Sequence, residues 1–320
     1  MENKNDYFPS RVVAEKLGIH KSTVCELAKK HKLDIVINGG YHDKRYSLSQ
    51  IQGALQASSQ RNGTNSRFIE ASDTKIYDDY WKLDWDEFIV AADAHSPYLY
   101  TPIYDKMLEV ALKYKITNFV HAGDFWNQDV FSYWWVTKED SVSFDKEVAY
   151  SKKIVNSLTS HFKDVRFFLG SHDIRFWKLL YSQGKYDSYE TVWNLLENDQ
   201  IKVSPYRYCE VGTEWRINHP KNTVKVGGLP AIRMSAKFNR SVIFGHGHWQ
   251  GWVWDPSGKH MLVAPGCLCD PRRISYKNCW DTSHDEWVPG FVLIRDGNRA
   301  TVFNEQSDWD LYLGSNKKKK

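Results

Sequence analysis

Cysteine is scarce in this sequence, and long apolar runs are absent. The chain has 5 cysteines, an odd number without the spacing of a disulfide framework, which indicates reduced thiols. No stretch reaches the roughly 20 apolar residues that a membrane-spanning helix needs. The N-terminus is polar where a signal peptide would be apolar. We therefore expect a cytoplasmic protein with no membrane partner.

Net charge is small, and its distribution along the chain is more informative than its size. The whole chain carries +4, but residues 1–67 hold 11 Lys and Arg against 6 Asp and Glu, and the remainder is close to neutral. A small basic module joined to a near-neutral body fits a nucleic-acid partner for the module. An ordinary solvated surface is the alternative, because the excess of positive charge is modest.

The first segment has the spacing of two helices joined by a tight turn. Ala14 is small, Gly18 stands four residues later, and Val24 follows six residues after that. This spacing lets two helices pack closely around the turn. Two β-prone runs around an Asn-Gly pair come next, as in a hairpin. The pattern resembles the winged or MerR-like helix-turn-helix family, and we assign residues 1–55 to this module.

DNA binding is the function that this resemblance implies for the module. The second helix would enter the major groove, and the wing would contact the backbone. A module that binds protein or forms dimers is the alternative, so a homodimer stays open. The predicted DNA-binding residues are His20, Lys21, Ser22, Lys29, Lys44 and Arg45.

The remaining chain divides into a polar segment and a large body. Residues 56–80 are polar without sustained periodicity, which is typical of a linker. Apolar strands then alternate with amphipathic helices, and short β-runs dominate beyond about residue 201. This order predicts an α/β fold with a second sheet packed on the first. We assign the body to 81–316 and a basic tail to 317–320.

Clusters of Asp and His stand where the predicted strands of the body end. They are D-A-H at 93–95, G-D at 123–124, G-S-H-D at 170–173 and G-H-G-H at 245–248, with a lone histidine at 219. Side chains at strand ends can converge on one site in an open α/β fold. A mixture of carboxylates and imidazoles suits manganese, iron or zinc better than magnesium. Two such ions provide what phosphoester hydrolysis needs, a more acidic water and neutralised phosphoryl oxygens.

The five motifs resemble the signature of the calcineurin-like metallophosphoesterases, which reads D-x-H, G-D, G-N-H-[D/E], a lone His and G-H-x-H. They occur here in that order. The resemblance implies a layered α/β/β/α sandwich that binds two divalent metal ions, with Mn²⁺ as the first candidate and Fe or Zn as alternatives. The metal ligands that it implies are Asp93, His95, Asp124, Ser171, His219, His246 and His248.

The resemblance also divides these ligands between the two ions. Ser171 stands where the family has Asn, and serine is a shorter and weaker neutral ligand. We therefore expect the second ion to bind more weakly. The first ion would be held by Asp93, His95 and His248, and the second by His219 and His246, with Asp124 bridging both.

Three neighbouring residues are predicted to take part in catalysis. The resemblance places His172 beside the substrate, where it would either stabilise the phosphate or protonate the leaving oxygen. Asp173 would orient His172. Arg175 is close enough in sequence to reach a phosphate, and a surface ion pair is the alternative.

Together these features predict a metallophosphoesterase that acts on DNA as a nuclease. The layout is similar to that of phage and bacterial phosphoesterases, some of which are repair-type nucleases. Two other interpretations stay open. One is a phosphomonoesterase or cyclic-nucleotide phosphodiesterase with a regulatory N-terminal module, and the other is a DNA-binding protein with an inactive phosphoesterase domain.

Overall fold

The chain divides into two units, Met1–Ile76 and Tyr77–Lys320. A computed structural model describes residues 6–37, 44–60, 78–132, 141–185, 188–221, 229–275, 277 and 287–314.

The described residues of the first unit form three helices and a three-stranded antiparallel sheet. Its elements are β1 (Tyr7–Pro9), α1 (Ser10–Leu17), α2 (Lys21–Lys30), β2 (Ile35–Ile37), β3 (Lys44–Ser47) and α3 (Leu48–Gln60). Strand β3 lies between β1 and β2 and is antiparallel to both. The buried residues Val13, Val24 and Ile51, one from each helix, meet in the core of this unit.

A short turn joins α1 to α2. Gly18 ends α1 with a φ of 64°, and its N–H donates to the carbonyl oxygens of Ala14 and Glu15. Glycine adopts this left-handed conformation without steric cost. At the start of α2, the ring of His20 accepts from the backbone N–H of Ser22. The Asn-Gly turn of the predicted wing lies outside the described residues.

Helix α3 extends beyond the predicted end of the module. It ends at Gln60 rather than at residue 55, because residues 56–60 contain neither proline nor glycine to stop it. The predicted linker, 56–80, therefore begins inside a helix. Residues 61–77 and the predicted basic tail, 317–320, lie outside the described residues.

The second unit contains twelve described strands. They are β4 (Lys82–Leu83), β5 (Phe88–Ala91), β6 (Asn118–His121), β7 (Asp164–Phe168), β8 (Ile201–Ser204), β9 (Tyr208–Val211), β10 (Trp215–Asn218), β11 (Ser241–Phe244), β12 (Gln250–Trp254), β13 (Met261–Pro265), β14 (Gly290–Arg295) and β15 (Arg299–Asn304).

Six described helices accompany these strands. They are α4 (Thr101–Tyr114), α5 (Phe144–His161), α6 (Arg175–Ser182), α7 (Glu190–Asn194), α8 (Leu229–Phe238) and α9 (Trp309–Leu313). Short 3₁₀ turns occur at Asp129–Phe131 and Pro271–Arg273. Across the described part of both units, the helices are too short or too polar to span a bilayer.

The strands form two six-stranded mixed sheets. The first has the order β15-β14-β5-β6-β7-β8, in which β5 to β8 are parallel. The second has the order β12-β13-β11-β10-β9-β4, in which β10, β11 and β13 are parallel. Parallel neighbours end at the same edge of a sheet, so the loops after β5, β6 and β7 lie together.

The two sheets pack face to face, with helices on the outside. Alternate residues of a strand face opposite sides of its sheet. In β5, Phe88 and Val90 join an apolar cluster shared with the second sheet, whereas Ile89 packs in the cluster with α4 and α5. In β11, Ile243 joins the cluster between the sheets, and Val242 packs in the one that includes α8. The predicted α/β/β/α order of layers is confirmed.

Candidate metal centre

The predicted ligands meet where strands of both sheets end. Three groups of described residues each bring their ligand atoms within 4.8 Å of one another. His95 and Asp124 each belong to two of these groups, so the three groups form one continuous site. The groups are Asp93, His95 and His248; His95, Asp124 and His172; and Asp124, His219 and His246.

The backbone at these ligands adopts an unusual conformation. Five of them have a left-handed φ: 55° at Asp93, 43° at His95, 55° at Asp124, 76° at His246 and 59° at His248. Each non-glycine residue held this way costs about 1–3 kcal/mol, and such residues cluster where function requires the geometry. Their concentration here indicates that the turns are shaped to aim the side chains inward.

Two glycines leave room for the ligands. A Cβ added at Gly245 would lie 2.8 Å from the Cβ of Ala92, and one added at Gly170 would collide with the carboxylate of Asp124. The backbone thus approaches the ligands more closely than any larger residue would allow.

The first ligand group is held in the tautomer that metal binding needs. Nδ1 of His95 lies 3.2 Å from Oδ1 of Asn127. Because an amide oxygen only accepts, this Nδ1 carries the proton. The lone pair on Nε2 of His95 then faces Nε2 of His248 at 3.1 Å, which is itself 3.1 Å from Oδ1 of Asp93. Three donor atoms therefore converge, as the ligands of one ion do.

The second ligand group is arranged in the same way. Nδ1 of His219 lies 2.8 Å from the carbonyl oxygen of Ala122, which fixes the proton on Nδ1. Nε2 of His219 is buried without a hydrogen-bond partner among the described residues, and it lies 3.3 Å from Oδ2 of Asp124. Nδ1 of His246 lies 3.7 Å from the same oxygen. A buried nitrogen that has no hydrogen-bond partner and faces a carboxylate fits the binding of a cation between them.

Asp124 belongs to the second group, is also within reach of His95 and His172, and is buried. Its Oδ1 accepts from the N–H of His172 at 2.7 Å, and its Oδ2 accepts from the hydroxyl of Ser171 at 3.0 Å. Burial opposes ionisation, but the charge of His219 outweighs it and holds the pKa of Asp124 well below its usual value. The ionised form is the one that binds metals. The hydrogen bond from its hydroxyl to the carboxylate of Asp124 places Ser171 beside the second group. The donor set fits two divalent ions.

Asp173 makes contacts other than those predicted for it. Its Oδ2 accepts from the N–H groups of Asp124 at 2.8 Å and Gly170 at 2.7 Å, and its Oδ1 accepts from the N–H of Trp126 at 2.9 Å. The expected orientation of His172 by this carboxylate is not among its described hydrogen bonds. Asp173 instead ties together the turns that follow β6 and β7.

His172 is oriented by two other neighbours. Its Nδ1 donates to the carbonyl oxygen of Asn127 at 3.1 Å, and its Nε2 accepts from Nη2 of Arg175 at 3.0 Å. Nη1 of Arg175 pairs with Oδ1 of Asp129 at 3.1 Å. Burial lowers the pKa of His172 well below its usual value, and the Arg175 charge lowers it further. Arg175 therefore forms an ion pair with Asp129 and also contacts His172 at the candidate metal centre.

The predicted DNA-binding residues lie in the first unit and differ in exposure. Those at the start and along the outside of α2 are exposed: His20, Lys21, Ser22 and Lys29. Those in β3, Lys44 and Arg45, are half-buried. The helix residues are therefore better placed than the strand residues to contact phosphates.

Sequence reasoning missed Glu147, a buried carboxyl beneath the centre. Its Oε1 accepts from the N–H groups of Asn127 at 2.9 Å and Gln128 at 2.8 Å. Burial raises the pKa of Glu147 to about 8. The signal in the sequence was its place in α5, four residues before the buried Ser151 and seven before Ile154. An acid on the apolar stripe of a helix needs a special partner.

Comparisons with known proteins give distant structural likenesses. No family model and no curated protein matches the sequence. A single mutant of Vps29 from Entamoeba histolytica has a TM-score of 0.35 and 14% identity, covering 68% of this chain and 98% of that one. Vacuolar Protein Sorting 29 from Cryptosporidium parvum has a TM-score of 0.36 and 15% identity, covering 69% and 98%. Wild-type Vps29 from Entamoeba histolytica, complexed with zinc, has a TM-score of 0.31 and 14% identity, covering 68% and 98%.

Replacing Glu147 should change how stability depends on pH. Because the pKa of Glu147 is raised from 4.5 to about 8, the folded chain keeps a proton that the unfolded chain releases between these values. Its contribution to stability therefore falls as pH rises through that window. Glu147→Gln keeps an oxygen acceptor for both N–H groups and removes the titration. Between pH 5 and 8, we expect the free energy of unfolding of the variant to rise relative to that of wild type by roughly a few kcal/mol.

Denaturant unfolding at both pH values measures this difference, with Glu109→Gln on the exposed side of α4 as the matched control. The control should follow the pH dependence of wild type. An unchanged pH dependence in Glu147→Gln would show that the buried carboxyl is ionised throughout.

Proposed function

We propose that this protein is a metal-dependent phosphoesterase that hydrolyses phosphodiester bonds in DNA and is brought to DNA by its N-terminal unit. The observation that carries the proposal is the set of three ligand groups linked through His95 and Asp124, with Arg175 bonded to His172. This combination of a buried bridging carboxylate, imidazole donors and a guanidinium suits a substrate with a phosphoryl group.

Ligand orientation is the main contribution of the chain to the reaction. Divalent ions bound at these ligands would supply Lewis acidity towards the phosphoryl oxygens and the attacking water. Asn127 and the carbonyl of Ala122 hold the protons of His95 and His219 on Nδ1. Nε2 of each ring therefore faces the centre before any ligand arrives, so little reorganisation is needed.

His172 and Arg175 form the part of the site that would contact the phosphate. Arg175 holds a positive charge at the edge of the centre, where negative charge develops during phosphoryl transfer. Nε2 of His172 accepts from Arg175, so it can carry a proton only after that hydrogen bond opens. The arrangement favours stabilisation of the phosphate over protonation of the leaving oxygen.

Two observations support DNA as the substrate. Positive charge is concentrated in residues 1–67. In the first unit, α2 follows α1 across a short turn, with Lys21 and Lys29 exposed. This is the arrangement by which a second helix enters the major groove.

We expect the protein to cleave DNA in the presence of Mn²⁺ and Asp124→Asn to abolish cleavage. Loss of the shared carboxylate should lower the rate by at least roughly 100-fold, more than the 10–100-fold typical of changes around the ligands. Cleavage of supercoiled plasmid and linear DNA measures this, with hydrolysis of bis-p-nitrophenyl phosphate followed in parallel. Asp105→Asn removes the same charge from the exposed face of α4 and serves as control.

Each result has a definite meaning. Loss of both activities in Asp124→Asn, with Asp105→Asn unaffected, supports the DNA phosphodiesterase. Hydrolysis of the small diester without any cleavage of DNA would exclude DNA as substrate and leave a small-substrate phosphoesterase. Absence of both activities in wild type would exclude the enzyme altogether.

The targeting role of the first unit predicts a change in binding to duplex DNA. Lys21→Ala combined with Lys29→Ala removes two exposed charges of α2. If both contact phosphates, the slope of log K against log salt should fall by roughly 0.9 for each contact. Fluorescence anisotropy over a salt series measures the slope. Lys113→Ala, exposed on α4, should leave it unchanged, and equal slopes in all three proteins would rule out this mode of binding.

A further inference from the structure

A cavity of about 660 Å³ opens beside the candidate metal centre. Ser171 and His172 form one side of it, and Arg175, Lys178 and Leu179 of α6 form another. Its volume falls within the roughly 300–1,000 Å³ typical of small-molecule sites. The cavity therefore has room for more of the substrate than the phosphoryl group at the metal ligands.

Lys178 lines this cavity and has no ion-pair partner among the described residues. Residues three apart on a helix lie on one face, so Lys178 follows Arg175 along the side of α6 that lines the cavity. Arg175 is already paired with Asp129. No carboxylate among the described residues forms an ion pair with Lys178.

Other cations lie near Lys178. Burial lowers the pKa of its ammonium group, and the charges of Arg207 and Arg175 lower it further, with a smaller effect from Lys221. Nη2 of Arg207 donates to the carbonyl oxygen of Gly170 at 3.3 Å, which places Arg207 at the turn before Ser171. Within the described part of the chain, neither Arg207 nor Lys221 forms an ion pair.

The cations near Lys178 repel its ammonium group. Like charges held near each other raise the free energy of the folded protein unless an anion compensates them. Asp124 is the carboxylate that offsets this effect on Lys178, and it also belongs to the metal centre. A ligand that brings further negative charge into the cavity would therefore be stabilised by cations that have no ion pair with a carboxylate among the described residues.

We propose that Lys178, on the wall of this cavity one helical turn after Arg175, forms a subsite for a second phosphate group of the substrate, next to the phosphate at the metal centre. The subsite rests on the proposed hydrolysis of phosphodiesters, because that places the first phosphate. A nucleotide strand carries a neighbouring phosphate of this kind at every residue. The substrate class is therefore one in which phosphates repeat along a chain, and a lone phosphate ester leaves the subsite unused.

Binding of two matched probes to the Mn²⁺-loaded protein tests the subsite. Thymidine 3′,5′-bisphosphate carries the second phosphate, and thymidine 5′-monophosphate lacks it. Isothermal titration should give wild type an affinity for the bisphosphate that is about tenfold higher. Lys178→Ala should lose roughly five- to tenfold of the bisphosphate affinity and little of the monophosphate affinity. Lys178→Arg should retain most of both.

Lys185→Ala is the matched control, since Lys185 is exposed just after α6 and does not line the cavity. Equal affinity of wild type for the two probes would overturn the subsite. So would equal losses in Lys178→Ala and Lys185→Ala, because these would reflect net charge alone.

This binding experiment can fail independently of the proposed function. Cleavage of DNA without a preference for the bisphosphate would remove the subsite and keep the nuclease. A Lys178-dependent preference in a protein that does not cleave DNA would keep the subsite and remove DNA as substrate.

Discussion

The burial of an ionised carboxylate at Asp124 is the constraint on which the second unit depends. A buried charge costs several kcal/mol unless hydrogen bonds and opposite charges compensate it. Here the N–H of His172 and the hydroxyl of Ser171 donate to the carboxylate, and His219 lies against it. The groups that make this burial tolerable are also those that surround the ligand atoms, so the stability of the turns and the geometry of the centre have the same origin.

The packing of two sheets brings these groups together. Strands β6 and β7 are parallel neighbours, so the turns that follow them meet, and Asp173 bonds both through the N–H groups of Asp124 and Gly170. The second sheet contributes from the other side, where the N–H of His246 after β11 donates to Oδ2 of Asp93 after β5 at 2.9 Å. The centre therefore lies on the seam between the sheets, and it requires both to be folded.

The sequence was informative about the candidate metal ligands and the order of helix and sheet layers. It was less informative about the hydrogen bonds and packing contacts that hold those ligands in place. Asp93 and Asp124 could be expected at one site because they follow apolar strands whose ends converge, and the resemblance to the D-x-H and G-D motifs indicated them as ligands. The support of Asn127 by Glu147, and the contact of Trp287 with the ring of His248 at 3.7 Å between centroids, join residues far apart in the chain. Periodicity identifies a residue's face, but the backbone N–H group that a carboxylate will accept from depends on tertiary packing. The same limit applies to Asp173, whose partners proved to be turns.

The most direct test of a shared two-ion centre is electron paramagnetic resonance of the protein titrated with Mn²⁺. We predict two ions per chain with the spectrum of an exchange-coupled pair, because both would share the carboxylate of Asp124. In Asp124→Asn the coupling should disappear, leaving only the signal of isolated ions. Binding of a single uncoupled ion by wild type, or a coupled pair that persists in Asp124→Asn, would contradict the assignment of Asp124 as the bridging ligand.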